Sequence, residues 1–363
     1  MALARLILVT GKGGTGKSAV AAALALCLAR RRPTLLVDLD QRMWAARMLG
    51  LESSDNPRDN SDDAAAHDKG AAAIARPGAI ANLETISLSA GTELEAFIER
   101  IVPIKAIARR MLQSRTFGYV SAALPGLEAF LMLERLRIVA GRAALEDRYV
   151  VVDAPATGSA IELLSVPGAL KQIAPLGTLN RLAANVESFL ADASRFAVLL
   201  TLTPQELALR EALEASDVLR GRLSVSVAAA ALNCVPPPLF SRREIDELDA
   251  PGADRRFACL AQWRAGAGRF AARTRREASR AGLRVVELPM LFSPAMGRAE
   301  LEELSRALDA RLFPPNSGKS GKSGKSGKPP TSAGSAGSAN VAKSAGAARP
   351  AKSARSARSE RPE

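Results

Sequence analysis

Between residues 3 and 313, short continuous apolar runs alternate with longer stretches in which apolar residues recur every three or four positions. Runs of four to eight apolar residues suit strands buried on both faces, and the longer period suits helices. Strands are therefore predicted at 6–9, 34–37, 83–88, 149–152, 196–203, 225–232 and 285–289. Helices are predicted at 19–29, through most of 92–146, over 160–195 with breaks at Pro167 and Pro175, after Pro204, over 255–284 and from about 298 to 312. Strands and helices in this alternation predict an α/β fold: a doubly wound, mainly parallel sheet with helices on both faces, plus a helical insert.

Two stretches fall outside this pattern. Residues 52–80 combine Ser, Asp, Asn, Pro, Gly and Ala with almost no large apolar side chain, so they are read as a mobile loop. Beyond Pro314-Pro315 come SGKSGKSGK repeats and an Ala/Ser/Lys/Arg run, a composition that predicts a disordered basic tail over 314–363. That tail holds ten Lys or Arg and two Glu, or +8 of the chain's +13, leaving +5 for the folded domain expected over 1–313. A mildly basic domain says little about partners, but a flexible cationic tail predicts weak nonspecific binding to DNA or anionic lipid.

Composition also removes several chemistries. Cys27, Cys234 and Cys259 are too few and too scattered for a disulfide framework, which fits a reducing cytoplasm. The only histidine, His67, lies in a polar, acidic stretch, so histidine triads and histidine-rich metal sites are disfavoured. The N-terminal residues read as a strand without a signal-peptide pattern, and no stretch approaches the roughly 20 apolar residues needed to span a bilayer.

The chemistry is concentrated where the first strand meets the first helix. Gly11-Lys12-Gly13-Gly14-Thr15-Gly16-Lys17-Ser18 fits G-x-x-x-x-G-K-[ST], a phosphate-binding loop. Its glycines let backbone N–H groups converge on phosphate oxygens at a helix N-terminus, Lys17 reaches the β- and γ-phosphates, and the Ser18 hydroxyl takes a Mg²⁺ position. The second strand ends in Asp38-Leu39-Asp40-Gln41, and the 149–152 strand runs into Asp153-Ala154-Pro155-Ala156-Thr157-Gly158-Ser159. Acids at the carboxyl ends of strands beside such a loop face the ligand crevice of an open α/β sheet, although aspartates also form turns and helix caps there.

Lys12, directly after the first glycine, makes the loop the deviant K-G-G-x-G-K-S form. Here the sequence resembles the ParA, MinD and nitrogenase iron-protein ATPases and the ArsA-type anion-pump and tail-anchored-protein-targeting ATPases. The segment D-x-P-x-T-G from Asp153, the leucine-rich continuation to Pro167, and T-x-x-P-x-x-L-x-L-x-E ending at Glu211 resemble the ArsA branch in particular. The resemblance implies that Lys12 reaches the partner's nucleotide across a homodimer interface and that Asp40 positions the attacking water. It further implies that Asp153 serves Mg²⁺ through its water shell, that Asn233 reads adenine, and that Pro289-Met290 packs on the base. Two departures stand out: Gln41 replaces the usual proline after the second acid, and Ser159 replaces a histidine.

The expected function is that of an ArsA-like, Mg²⁺-dependent, ATP-binding hydrolase. It would act as a nucleotide-switched homodimer that couples ATP turnover to a client or membrane partner, cytoplasmic or peripheral at a membrane. The 92–146 and 160–195 helices would form the client or effector region. A metalloid site is disfavoured by the scattered cysteines. A ParA- or MinD-like positioning ATPase and a non-hydrolysing nucleotide-binding scaffold are the alternative readings.

Overall fold

A computed structural model describes residues 3–39, 42–51, 80–89, 126–248 and 255–313. Asp40 and Gln41, most of the 52–80 segment, residues 92–125 of the expected helical region and the 314–363 tail lie outside the described residues. Residues Met1–Pro315 form one compact unit, and Asn316–Glu363 are assigned to a second.

Seven strands form one all-parallel sheet: β1 (Leu6–Gly11), β2 (Thr34–Asp38), β3 (Leu83–Ser87), β4 (Tyr149–Asp153), β5 (Phe196–Leu202), β6 (Val227–Val235) and β7 (Val285–Pro289). Their spatial order is β3-β2-β4-β1-β5-β6-β7. The phosphate-loop strand β1 is thus interior and fully buried. Among the described residues the helices are α1 (Lys17–Ala29), α2 (Trp44–Met48), α3 (Leu127–Leu145), α4 (Thr157–Ile173), α5 (Gly177–Ala191), α6 (Glu206–Asp217), α7 (Arg242–Leu248), α8 (Arg255–Arg280) and α9 (Arg298–Leu312). A π-helical turn, Val218–Arg222, extends α6.

Side chains alternate across each strand, so one apolar run feeds two cores. Leu6 and Leu8 of β1 join Val150 and Val152 of β4 against α3, α4, α5 and α6. Ile7, Val9 and Val151 join the opposite core, formed with α1, α2 and α9. Every residue of α1 from Ala19 to Ala29 is buried, which is why its sequence is apolar on all sides rather than amphipathic. Its C-terminal end is tied to α9 by Arg31–Asp309 at 2.8 Å.

The predicted break at Pro167 is not observed. Helix α4 runs through Pro167, which is buried on the same stripe as Ala160, Leu163, Leu164 and Leu170. A proline inside a helix lacks one backbone donor and crowds the preceding turn. Its ring here replaces a core side chain, and the chain breaks instead at Ala174–Leu176, around Pro175.

Candidate nucleotide-binding site

The site forms where the chain leaves β1 toward one face of the sheet and β4 toward the other. Helix α1, following β1, belongs to one core and α4, following β4, to the other, so the carboxyl ends of the two strands flank a crevice. Asp153 lies beside Val9 on β1 and beside Asp38 on β2 in strand register, and both acids are buried. The two carboxylates therefore stand on adjacent strand ends next to the loop. Thr157-Gly158-Ser159 forms the first turn of α4.

The loop is braced from below by a run of threonine hydroxyls. Thr15 Oγ1 donates to the Lys12 carbonyl at 2.8 Å and lies 2.9 Å from Thr201 Oγ1, which donates to the Thr10 carbonyl at 3.1 Å. Thr10 Oγ1 in turn donates to the Pro155 carbonyl at 2.7 Å, linking the loop strand to the turn after β4. Thr201 was invisible as a site residue in the sequence, where it reads as one more position of an apolar strand. Its partner Gly11 carried the signal only indirectly: a Cβ there would lie 2.2 Å from the Thr201 carbonyl oxygen.

Gly16 precedes α1 at φ +87°, and no side chain caps the helix. The helix N-terminus, with no acidic residue in its first turn, therefore offers backbone donors and the positive end of the helix dipole to an anion. Lys17 and Ser18 open that helix, half-buried, while Gly13 and Gly14 are exposed. Phosphate fits this cradle. Mg²⁺ fits the hard oxygen donors around it, the Ser18 hydroxyl and the strand-end carboxylates. Among the described residues no group of three or more His, Cys, Asp or Glu could hold a metal by itself.

Asn233 is buried near the end of β6, and its Nδ2 donates to the Thr15 carbonyl at 2.9 Å. It also stands where a side chain on Gly16 would point, 2.4 Å from a Cβ built there. The strand pairing shifts between Leu232 and Val235, and Cys234 takes a left-handed φ of 58°. Such irregularities redirect side chains at sheet ends, and this one sits where Asn233 meets the loop. Asn233 thus braces the phosphate loop, a contact the sequence did not disclose. Pro289 ends the neighbouring strand β7 and is in register with Val235.

Lys12 has a partner in its own chain. Its Nζ donates to Glu211 Oε2 at 2.8 Å, with the two side chains 36% and 30% exposed. This joins the loop to α6 through the last residue of the T-x-x-P-x-x-L-x-L-x-E segment.

The cysteines do not converge on a soft-metal site. Cys27 is fully buried in the α1 core with its Sγ 3.6 Å from Asp309 Oδ1, and burial followed by that carboxylate pushes its thiol up to about 12. Desolvation also raises the thiol of Cys234, while Cys259 is exposed on α8. Raised thiols stay protonated near neutral pH and are poor metal ligands.

Comparison with known proteins agrees with this geometry. The profile of the anion-transporting ATPase family matches residues 4–195, and the chain belongs to that family. It is also 29% identical over 221 residues to the ATPase BagA of Mycobacterium tuberculosis and to a protein named as an ATPase in Mycobacterium bovis. The matched region is 59% of this chain and 61% of each relative, so the match spans less than two thirds of their length.

Proposed function

We propose that this chain is a Mg²⁺-dependent ATP hydrolase that switches between an open state and a closed homodimer. The observation that carries the reading is the braced phosphate loop lying beside two buried strand-end carboxylates, Asp38 and Asp153. Lys17 and the N–H groups of Gly13 to Ser18 hold the phosphates, while Ser18 and Asp153 hold the metal or its water shell. Bound Mg²⁺ supplies neutralisation of phosphate charge. Asp40, two residues past Asp38, orients the attacking water, and Asn233 and Pro289 at adjacent strand ends receive the base.

Lys12 completes the partner's site on closure. A cation delivered in trans to a transferring phosphoryl group can supply about 10³–10⁵ in rate. In the single chain Lys12 is paired with Glu211, so the open state holds the lysine in cis until a second nucleotide-bound copy competes for it. ATP and ADP are the ligands that shift this balance. The helices after β3 and β4 form the client or effector surface, with a membrane protein or the membrane periphery as partner and the cytoplasm as the working compartment. No helix among the described residues is long and apolar enough to cross a membrane. The family match favours this reading over a ParA- or MinD-like positioning role. Together, the loop, the acids and Lys12 favour turnover over a non-hydrolysing scaffold.

The test is turnover per chain as a function of protein concentration. The parent should hydrolyse ATP faster per chain as concentration rises, Lys17→Ala should lose nucleotide, and Lys12→Ala should bind ATP yet turn it over at least tenfold more slowly. Mixing the two variants should restore part of the activity, because Lys12 of one chain serves the intact ATP site of the other. Concentration-independent turnover with a fully active Lys12→Ala would refute the dimer, and absence of any ATP turnover would refute the enzyme.

A further inference from the structure

A second cavity, of about 350 Å³, lies outside the phosphate site. One wall is the last residue of β6 and the segment after it, Val235 to Phe240, which begins two residues past Asn233; the other is α8. Most of the lining is apolar: three consecutive prolines, Phe240, Ile245 and a strip of small residues on α8.

Into this lining α8 sends Arg264, only 9% exposed. Its Nε and Nη1 are buried, and among the described residues no hydrogen-bond acceptor reaches them. The guanidinium instead lies against two aromatic rings, 5.4 Å from the centroid of Trp263 and 4.8 Å from that of Phe292. Ring faces attract a cation but leave its N–H groups unused, and buried donors without acceptors carry a desolvation cost. Nη2 is not enclosed in this way, which leaves it as the donor for an acceptor that a bound molecule supplies.

The charges lining the cavity point to the class of that molecule. Glu287 is paired with Arg275 at 3.1 Å and lies 3.9 Å from Arg311, so its charge is already engaged. Among the lining residues Arg264 and Arg275 carry two positive charges against the one negative charge of Glu287, an excess of one. We propose that the cavity between α8 and the 235–240 segment binds a small organic carboxylate, with a single carboxylate accepting from Arg264 and a compact apolar body against the prolines and Phe240. A carboxylate oxygen suits a charged guanidinium N–H, and the apolar walls favour an organic acid over a fully hydrated inorganic anion.

The chain provides its own reporter. Its two tryptophans are Trp44 and Trp263, so a Trp44→Phe background leaves Trp263, in contact with Arg264, as the only indole. Benzoate and hexanoate titrated into this full-length protein should change its fluorescence saturably, with matching heats by calorimetry and dissociation constants in the millimolar range or below. Benzyl alcohol and inorganic phosphate should bind at least tenfold more weakly. Arg264→Gln should lose at least tenfold in carboxylate affinity. Gly268→Leu provides a second handle that does not depend on how well the Arg264→Gln chain folds. Gly268 lines the cavity, and a Cβ placed on it would have nothing within 4 Å, so a leucine should fill the space, keep Arg264 and still abolish binding. The proposal is overturned by absence of saturable binding, by phosphate or benzyl alcohol binding as well as benzoate, or by unchanged affinity in a folded Gly268→Leu protein.

Discussion

Three glycines of the phosphate loop look interchangeable in the sequence and differ in space. A Cβ at Gly11 would meet Thr201 backbone and side-chain oxygens at 2.2 Å, and one at Gly16 would meet Asn233 at 2.4 Å in a left-handed conformation. At Gly13 nothing lies within 4 Å. Overpacking against backbone costs about 1–3 kcal/mol, so Gly11→Ala and Gly16→Ala should each lower the denaturation midpoint measurably, while Gly13→Ala should leave it near the parent. Equal midpoints for Gly11→Ala and Gly13→Ala would show that the loop does not rest on Thr201. The pair Lys12–Glu211 also belongs to this scale. Its side chains are about one third exposed, so solvent screening holds its contribution to about 0.2–1 kcal/mol. Glu211→Gln should therefore lower the protein concentration at half-maximal turnover by only about 1.4- to fivefold, with a loss of stability no larger than about 1 kcal/mol. An unchanged or raised concentration dependence would mean that Glu211 does not hold Lys12 back.

At the scale of elements, α4 shows a helix former and a helix breaker decided by burial. Pro167 costs its helix about 3 kcal/mol in propensity relative to alanine, whereas replacing its ring by a methyl group gives up roughly two buried CH₂ groups at about 0.8 kcal/mol each. Pro167→Ala should thus raise the midpoint of chemical unfolding by the equivalent of about 1 kcal/mol, and a clear decrease would mean that the proline ring is the better core residue. Helix α1 illustrates the converse. Its alanines and leucines predicted a helix, but only the arrival of α9 and α2 on its outer side explains why all of Ala19–Ala29 is buried. Likewise, strand ends were legible to within three residues, whereas the register shift that sets Asn233 against the phosphate loop was not.

For the whole molecule, the sheet divides the interior into two cores, and both lie within residues 6–308. In the sequence of the 316–363 segment Val341 is the only apolar side chain larger than alanine or proline. Removing this segment should leave the melting temperature within about 2 °C of the parent, since a segment of this composition has almost no large apolar side chain to bury. The same deletion removes the full +8 charge, because Pro314 and Pro315 carry none, so DNA or anionic-lipid binding at low salt should weaken at least tenfold and lose its steep salt dependence. Unaltered polyanion binding would move that property to the folded unit.

The short helices α2 and α7 were not readable along the chain, whereas the seven strands, the longer helices, the phosphate loop and the two acid-bearing strand ends were. Each depends on short-range rules: apolar period, glycine and lysine spacing, and a carboxylate following a buried run. The contacts that turn these segments into a site join residues far apart in sequence, such as Thr15 with Thr201, Asn233 with Thr15 and Lys12 with Glu211. No local pattern encodes which threonine in a buried strand will meet the loop, because that is set by β1 and β5 becoming neighbours and by their register. The same reason hid Arg264: as one arginine in a basic helix it reads as a solvated charge, and only packing against the 235–240 segment and Phe292 makes it a buried cation facing a cavity.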